Sequence, residues 1–187
     1  GPTQIARACW DSPIELFFLF FPRPLWKIIA IESNRYMQQK IQEWAQNLQE
    51  SQKKRHTQNP AVIVETKKSI RARLRAIKPV EPHEIIRVIG LLIARTLCPH
   101  KRRFAYHWAT TSSGAIPKGT FGQFMSRNRF DEIMRCLHFT SNEHARAKED
   151  RAWKIRSVVD CLQKTFRRAF DVPNILSFDE GILPSQS

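Results

Sequence analysis

Carboxylates are what this chain has too few of. Its 187 residues carry 17 Asp and Glu against 31 Lys and Arg, a formal net charge of +14, and the pI is near 10.2. An imbalance of that size is the electrostatic footprint of a polyanionic partner: DNA, RNA or, less often, a membrane surface. Long apolar runs are missing as well. The longest, Leu16-Phe17-Phe18-Leu19-Phe20-Phe21, falls far short of the ~20 residues that span a bilayer, so no transmembrane helix and no membrane partner are expected. It has neither a basic leader nor a small-residue cleavage site and does not read as a signal peptide. Cysteine is sparse. Cys9, Cys98, Cys136 and Cys161 lie far apart, form no CxxC pair, and are expected as reduced thiols in an intracellular setting. No internal repeat occurs. The chain does have a hydrophobic content of 42%, with 12 Phe and 5 Trp, which argues for a folded core and against disorder.

The base is concentrated. Residues 51–80 hold nine Lys/Arg against Glu65, a net +8, and residues 95–135 hold eight against Asp131 and Glu132, a net +6. The stretches 1–50, 81–94 and 136–187 come to 0, −1 and +1. Two segments carry the whole excess, the pattern of a localised binding face.

Hydrophobic periodicity predicts a succession of helices. Ser12-Pro13-Ile14-Glu15 reads as a helix start, with a Ser cap, Pro at the first position and Glu reaching back. The Phe-rich helix it opens is expected to be buried almost all round. Pro22 and Pro24 end it and begin a longer helix to about Glu50, striped by Met37, Ile41, Trp44 and Leu48. Residues 51–60 are polar and aperiodic and read as a mobile basic loop. Over 61–78, Ile70, Leu74 and Ile77 back a basic amphipathic helix. Pro82 opens another, with Ile85, Ile86, Ile89, Leu92, Ile93 and Leu97 as its apolar face. Ser126 caps a helix carrying Phe130, Ile133, Met134 and Leu137. A last helix is expected from about Ala152 to Phe170, with Ile155, Val158, Val159, Leu162 and Phe166 inward. Pro173-Asn174 turns the chain into a single strand-like piece at 175–179.

That strand ends in Phe178-Asp179-Glu180, eight residues before the last. An acidic residue closing a short buried strand is how metal-dependent nucleases and transposases present a first carboxylate, yet a two-metal site needs further carboxylates to converge on it. Asp179 is therefore expected to be catalytically idle in this chain, a vestige with no enzyme activity. The pairs Cys98/His100 and Cys136/His138 offer four zinc-type donors, but Leu137 and Phe139 continue an apolar helix and CxH pairs are weak signals, so no metal and no cofactor are expected.

A family resemblance emerges from these segments taken in order. Ser12-Pro13-Ile14-Glu15-Leu16-Phe17-Phe18-Leu19-Phe20 and Ile31-Glu32-Ser33-Asn34-Arg35-Tyr36 resemble the opening of PiggyBac-type transposases. So do Glu84-Ile85-Ile86 leading to Ile89-Gly90-Leu91, Tyr106-His107-Trp108, Met125 through Ile133, Leu137-His138-Phe139, Trp153-Lys154-Ile155 and Leu176-Ser177-Phe178-Asp179-Glu180. The resemblance covers residues 12–184. It implies a helical region used in dimerisation and transposon-end binding, ahead of an RNase H-like core whose three Asp hold two Mg²⁺. Asp179 matches the first of the three. The segment containing Gly-Arg that usually follows in the family is replaced here by Leu183-Pro184-Ser185-Gln186-Ser187.

The expectation is thus an all-α, multi-helix domain with one short terminal strand. Residues 1–11 form a tail that opens with Gly1-Pro2, which looks like the remnant of an expression tag and leaves a removed leader open. Residues 12–172 form the helical domain, and 173–187 the remnant of a first core strand. The expected activity is non-enzymatic binding of DNA or RNA in the nucleus, with a homodimer as the expected assembly. Lys67, Lys68, Arg71, Arg73, Arg75 and Lys78 are the primary phosphate contacts. Lys101, Arg102 and Arg103 add a second patch, and Arg127 and Arg129 sit near a helix N-terminus where phosphate also binds. Tyr106 and Trp108 stand beside that second patch as candidate base-stacking residues, with core packing the stronger reading for Trp108. The same basic runs suit nuclear import. The rival readings are a protein-interaction module, such as a secreted pathogen protein acting in a host nucleus, and a piece cut from an intact DNA transposase.

Overall fold

The computed structural model describes residues 1–98, 103–114, 117–143 and 149–173. Their helices are α1 (Gln4–Ala8), α2 (Pro13–Phe20), α3 (Arg23–Gln58), α4 (Lys67–Arg75), α5 (Pro82–Leu97), α6 (Arg127–Cys136) and α7 (Arg156–Ala169), with 3-10 turns at Phe104–Trp108 and Phe121–Gln123. The all-α class holds. An isolated bridge pairs Pro2 with Phe170. The strand expected at 175–179 lies outside the described residues. The described residues divide into two compact units, one of Pro24–Ser157 and a smaller one of Gly1–Arg23 with the described residues from Val158.

The larger unit is organised by α3, whose 36 residues extend about 54 Å at 1.5 Å per residue. Leu25, Ile29, Ser33, Met37, Ile41 and Ala45 recur every fourth residue, and all are buried. Apolar residues on this row take the near end of α4: Ile41, Ala45, Ile70 and Leu74 form one buried cluster, with Trp44, Leu48 and Ile77 packed against it. Ser33 interrupts the apolar row, and Asn34 follows it. Ser33 is fully buried; its Oγ accepts from the His138 N–H at 3.0 Å and donates to the His138 carbonyl at 3.3 Å. Asn34 grips Val80 in the same reciprocal way, at 2.9 and 2.7 Å. Tyr36 then stacks on the His138 ring, 4.3 Å between centroids. The Ser33-Asn34-Arg35-Tyr36 segment is therefore a clasp on two distant backbone positions.

Several helix boundaries differ from the sequence reading. Residues 51–58 are the last two turns of α3, and the returning chain docks on them: Gln49 donates to the Glu65 carbonyl, Gln52 exchanges hydrogen bonds with Glu65, and a His56 ring nitrogen meets the Val62 carbonyl at 2.7 Å. Polarity there reflects exposure, and Gln, Lys and Arg are good helix formers. On α5 the buried residues are Ile85, Val88 and Leu91, whereas Ile93 and Leu97 are exposed. Helix α6 ends at Cys136, so Leu137 and Phe139 do not extend it; the Ser33 clasp takes the His138 backbone out of the helix. Met134 is exposed and Cys136 buried in its place. Helix α7 starts at Arg156 instead of Ala152, because Asp150 accepts from the Ala152 N–H and the Arg156 guanidinium and holds 150–155 in turns.

An aromatic cluster closes the far end of the unit. Phe104, Trp108, Phe121 and Phe130 pack at centroid separations of 5.1 to 6.4 Å, and His107 stacks on Phe121 at 4.2 Å. The Trp108 Nε1–H donates to the Met125 carbonyl at 2.8 Å. Trp108 is thus a packing residue, satisfied at its polar tip.

In the smaller unit the Ser12 hydroxyl caps α2 by accepting from the Glu15 N–H. The Phe-rich segment is not buried all round: Leu16 to Phe21 are all half-buried. Phe20 lies 4.7 Å from Phe166, and the Thr165 hydroxyl donates to the Phe20 carbonyl. Ala6 and Ala169 are the buried residues among those described, because a unit this small cannot enclose so many rings. Residues 1–3 are tied to 168–171 through backbone hydrogen bonds and the Thr3 hydroxyl.

Three substitutions test these contacts by urea unfolding. A Cβ at Gly119 would collide with the His107 carbonyl, so Gly119→Ala should cost roughly 1–3 kcal/mol. A Cβ at Gly90 meets nothing within 4 Å, so Gly90→Ala should stabilise by roughly 0.5–1 kcal/mol. Asn34→Ala strands both polar groups of buried Val80 and should cost about 2 kcal/mol.

Candidate nucleic-acid interface

Helix α4 begins at a Thr66 cap, whose hydroxyl accepts from the Ser69 N–H at 3.1 Å. Ile70 and Leu74 point into the core. At 100° per residue, Lys67, Lys68, Arg71 and Arg75 fall on one arc of about 100° beside that apolar edge. Lys67, Lys68 and Arg75 are exposed; Arg71 is half-buried, with Nη1 donating to Gln42 on α3 at 3.2 Å and Nε to the Lys67 carbonyl. Among the described residues no ion pair engages these four or Lys78.

Arg73 sits on the other flank of the helix. Its Nη2 donates to Glu65 Oε1 at 3.0 Å, and Gln52 together with Arg73 holds the Glu65 carboxyl below its ordinary range. Glu65 thereby joins the end of α3 to the start of α4. Lys53, Lys54 and Arg55, all exposed on α3, follow Gln52 directly, and Lys67 and Lys68 follow its partner Glu65 within three residues. The three on α3 were counted in the basic excess but not singled out as site residues; the absence of Gly and Pro between Glu50 and Asn59 was the available signal.

Arg129 is a clamp rather than a surface cation. Its Nε and Nη2 meet both Glu84 oxygens at 2.8 and 2.6 Å, Nη1 reaches Glu132 at 3.2 Å and the Lys78 carbonyl at 2.9 Å, and Nη2 also donates to the Pro79 carbonyl at 2.9 Å. Its planar fork suits this shared geometry. Glu84 also closes the N-terminus of α5 by accepting from the Glu81 N–H. The Arg129 guanidinium holds the Glu84 carboxyl below its ordinary value, and Glu84 raises Arg129 in turn. Arg127 is exposed and lies 3.7 Å from Asp131. Arg103 is exposed. Lys101, Arg102 and Asp179 lie outside the described residues, as does His100.

A groove of about 610 Å³ opens where α4 ends, lined by Arg73, Ile77, Lys78, Asn128, Asp131 and Arg135 among others. Arg135 also borders a hollow of about 370 Å³ with Trp44, Asn47 and Leu48, its guanidinium 5.8 Å from the Trp44 centroid. Of the zinc-type residues, Cys136 is buried, and burial pushes its thiol up to about 11, the reverse of what a thiolate ligand needs. His138 is stacked on Tyr36 with Nε2 at 3.0 Å from Asn142. Among the described residues no group of three or more His, Cys, Asp or Glu is placed to hold a metal.

The family model described as Transposase IS4 matches residues 12–187. The chain belongs to that transposase family. No curated protein and no solved structure matches it. In this transposase-family chain, the segments that carried the resemblance include the Ser33–Tyr36 clasp, the Glu84–Arg129 clamp and the His107–Trp108 aromatic cluster, all of which hold the helices together.

A depressed carboxylate contributes stability above its ordinary value that disappears as pH falls through the depressed one. Glu84→Gln, which keeps the capping geometry, should lower stability by roughly 1–2 kcal/mol near neutral pH. The gap to wild type should close once the pH is well below 4.5, the ordinary value. Urea midpoints measured across that range check it; a gap independent of pH would contradict the ion-pair account.

Proposed function

We propose that this chain is a PiggyBac-type, transposase-derived helical region that binds nucleic acid in the nucleus through phosphate contacts. The observation that carries the reading is the α4 arc of Lys67, Lys68, Arg71 and Arg75. It has no carboxylate partner among the described residues and is flanked by Lys78 and the basic end of α3. Lys67 and Lys68 sit in the first turn of α4, which has no acidic residue, where cations oppose the helix dipole. A phosphate seated there would relieve that repulsion and accept from the free N–H groups of the turn. Arg129 leaves the set of phosphate contacts because its donors are engaged, and Arg73 is a weaker member because of Glu65. A homodimer would present two such arcs to one duplex, and a nuclear protein partner remains compatible with this surface.

Catalysis is not proposed for residues 1–187 by themselves. Paired metal ions need converging carboxylates, and the resemblance assigns only Asp179 to this stretch. With Mg²⁺ or Mn²⁺, the 187-residue chain should leave duplex DNA intact. Cleavage lost in Asp179→Ala would overturn that.

If about four cations reach phosphates, log K on a random duplex should fall with log salt at a slope near −4. Lys67→Glu, Lys68→Glu and Arg75→Glu together should weaken binding to all sequences alike, since phosphate contacts carry no base information. Lys67→Glu and Lys68→Glu place acids at the N-terminus of α4 and Arg75→Glu places one at its C-terminus, so the dipole effects oppose one another and thermal stability should change little. Fluorescence anisotropy at several salt concentrations, paired with thermal unfolding, separates the two effects. Unchanged affinity in a folded triple variant would remove α4 from the interface.

A further inference from the structure

Between Glu84 and Asp131 the chain has no carboxylate and eight Lys/Arg. Within that stretch α5 carries an apolar surface beyond the one used by the core. Arg87, Gly90, Leu91 and Ala94 recur at helical spacing and, with Phe124, line a hollow of about 280 Å³. Ala94 is shared with a second hollow of about 320 Å³, whose walls include Leu97, Lys118, Gly119 and Phe121. The two adjoin at Ala94. Their rims are unusually apolar for a surface: Phe124 is 61% exposed and Leu97 77%. Gly90 leaves the floor open, since a Cβ there would touch nothing within 4 Å.

We propose that this trough is the docking site for an acidic amphipathic helix of a partner protein. Each part of the surface asks for that chemistry. A trough floored by Gly90, Leu91 and Ala94 admits a close-packed helix, and exposed Phe124 and Leu97 supply the apolar contacts that such grooves use as anchors. Arg87 lines one hollow and Lys118 the other; Glu84, one turn before Arg87, has both oxygens engaged by Arg129, and the carboxylate nearest Lys118 in sequence is Asp131, so the matching helix carries Glu or Asp beside its apolar stripe. A second copy of this chain brings the same net +14 and is a poorer complement. A duplex would gain nothing from the apolar floor. The trough is separate in sequence from the α4 arc, and one chain can therefore engage a nucleic acid and an acidic protein helix through different elements.

The test uses a fluorescent peptide helix about five turns long, with Leu at i, i+3, i+4 and i+7 and Glu elsewhere. Two controls replace its Leu by Ser or its Glu by Lys. The whole chain should bind the Leu/Glu peptide and discriminate against both controls. Gly90→Trp fills the trough without changing charge and should weaken the peptide by roughly tenfold or more, with wild-type helicity and unchanged affinity for a random duplex. Arg87→Glu with Lys118→Glu should also weaken it. Should Gly90→Trp fail to fold, Phe124→Ser carries the same readout from an exposed site. Equal peptide affinity in the filled trough would mean attraction by net charge alone and would overturn the proposal. So would equal binding of the Ser peptide, or a Gly90→Trp defect confined to DNA or to phosphatidylserine vesicles.

Discussion

Two adjacent side chains in one turn of α3 hold the larger unit in register. Ser33 and Asn34 each make a reciprocal pair of hydrogen bonds with a backbone position far along the chain, His138 and Val80. Both targets sit where a helix has ended or is about to begin, and buried backbone groups there would otherwise lack partners. Fixing Val80 sets where α5 starts. Fixing His138 sets where α6 stops. The Arg129 clamp then ties the same two helices through Glu84 and fastens the 78–79 backbone. Apolar packing against α3 supplies the driving force, but these directional contacts choose one arrangement among the many that greasy helices allow.

This construction separates the cations by role. Arg129 is absorbed into the frame, Arg73 is paired with Glu65, and Arg135 lies over Trp44. Lys67, Lys68, Arg71 and Arg75 on α4 and Lys53, Lys54 and Arg55 at the end of α3 are in no ion pair among the described residues. A net charge of +14 would by itself predict only diffuse attraction to polyanions. Under the function proposed above, the α4 arc is where that attraction is focused.

Much of the architecture was legible because its signals are local. The Ser12, Pro82 and Ser126 helix starts follow from capping chemistry, and Ile70 and Leu74 from helical spacing. The errors share one cause. Residues 51–58 read as a loop because nothing apolar marks them, yet their helix is held by Gln49, Gln52 and His56 meeting a segment that returns from further along the chain. Leu137 and Phe139 read as helix because the apolar pattern continued, yet Ser33, more than a hundred residues away, claims the His138 backbone. On α5, apolar residues occur nearly all round, so periodicity alone did not say that Val88 and Leu91 would be inside and Leu97 outside.

By itself the sequence determined the all-α class, the family, the basic excess and its confinement to two segments, because each depends on composition or on neighbours a few residues apart. Tertiary structure alone decided which cations face solvent. Lys67 and Arg129 are chemically equivalent in a list of basic residues. They differ because Glu84, Glu132 and two carbonyls converge on Arg129, while Lys67 lies on an arc that no described carboxylate reaches. Such convergence depends on helix packing over long sequence separations, which local pattern does not encode.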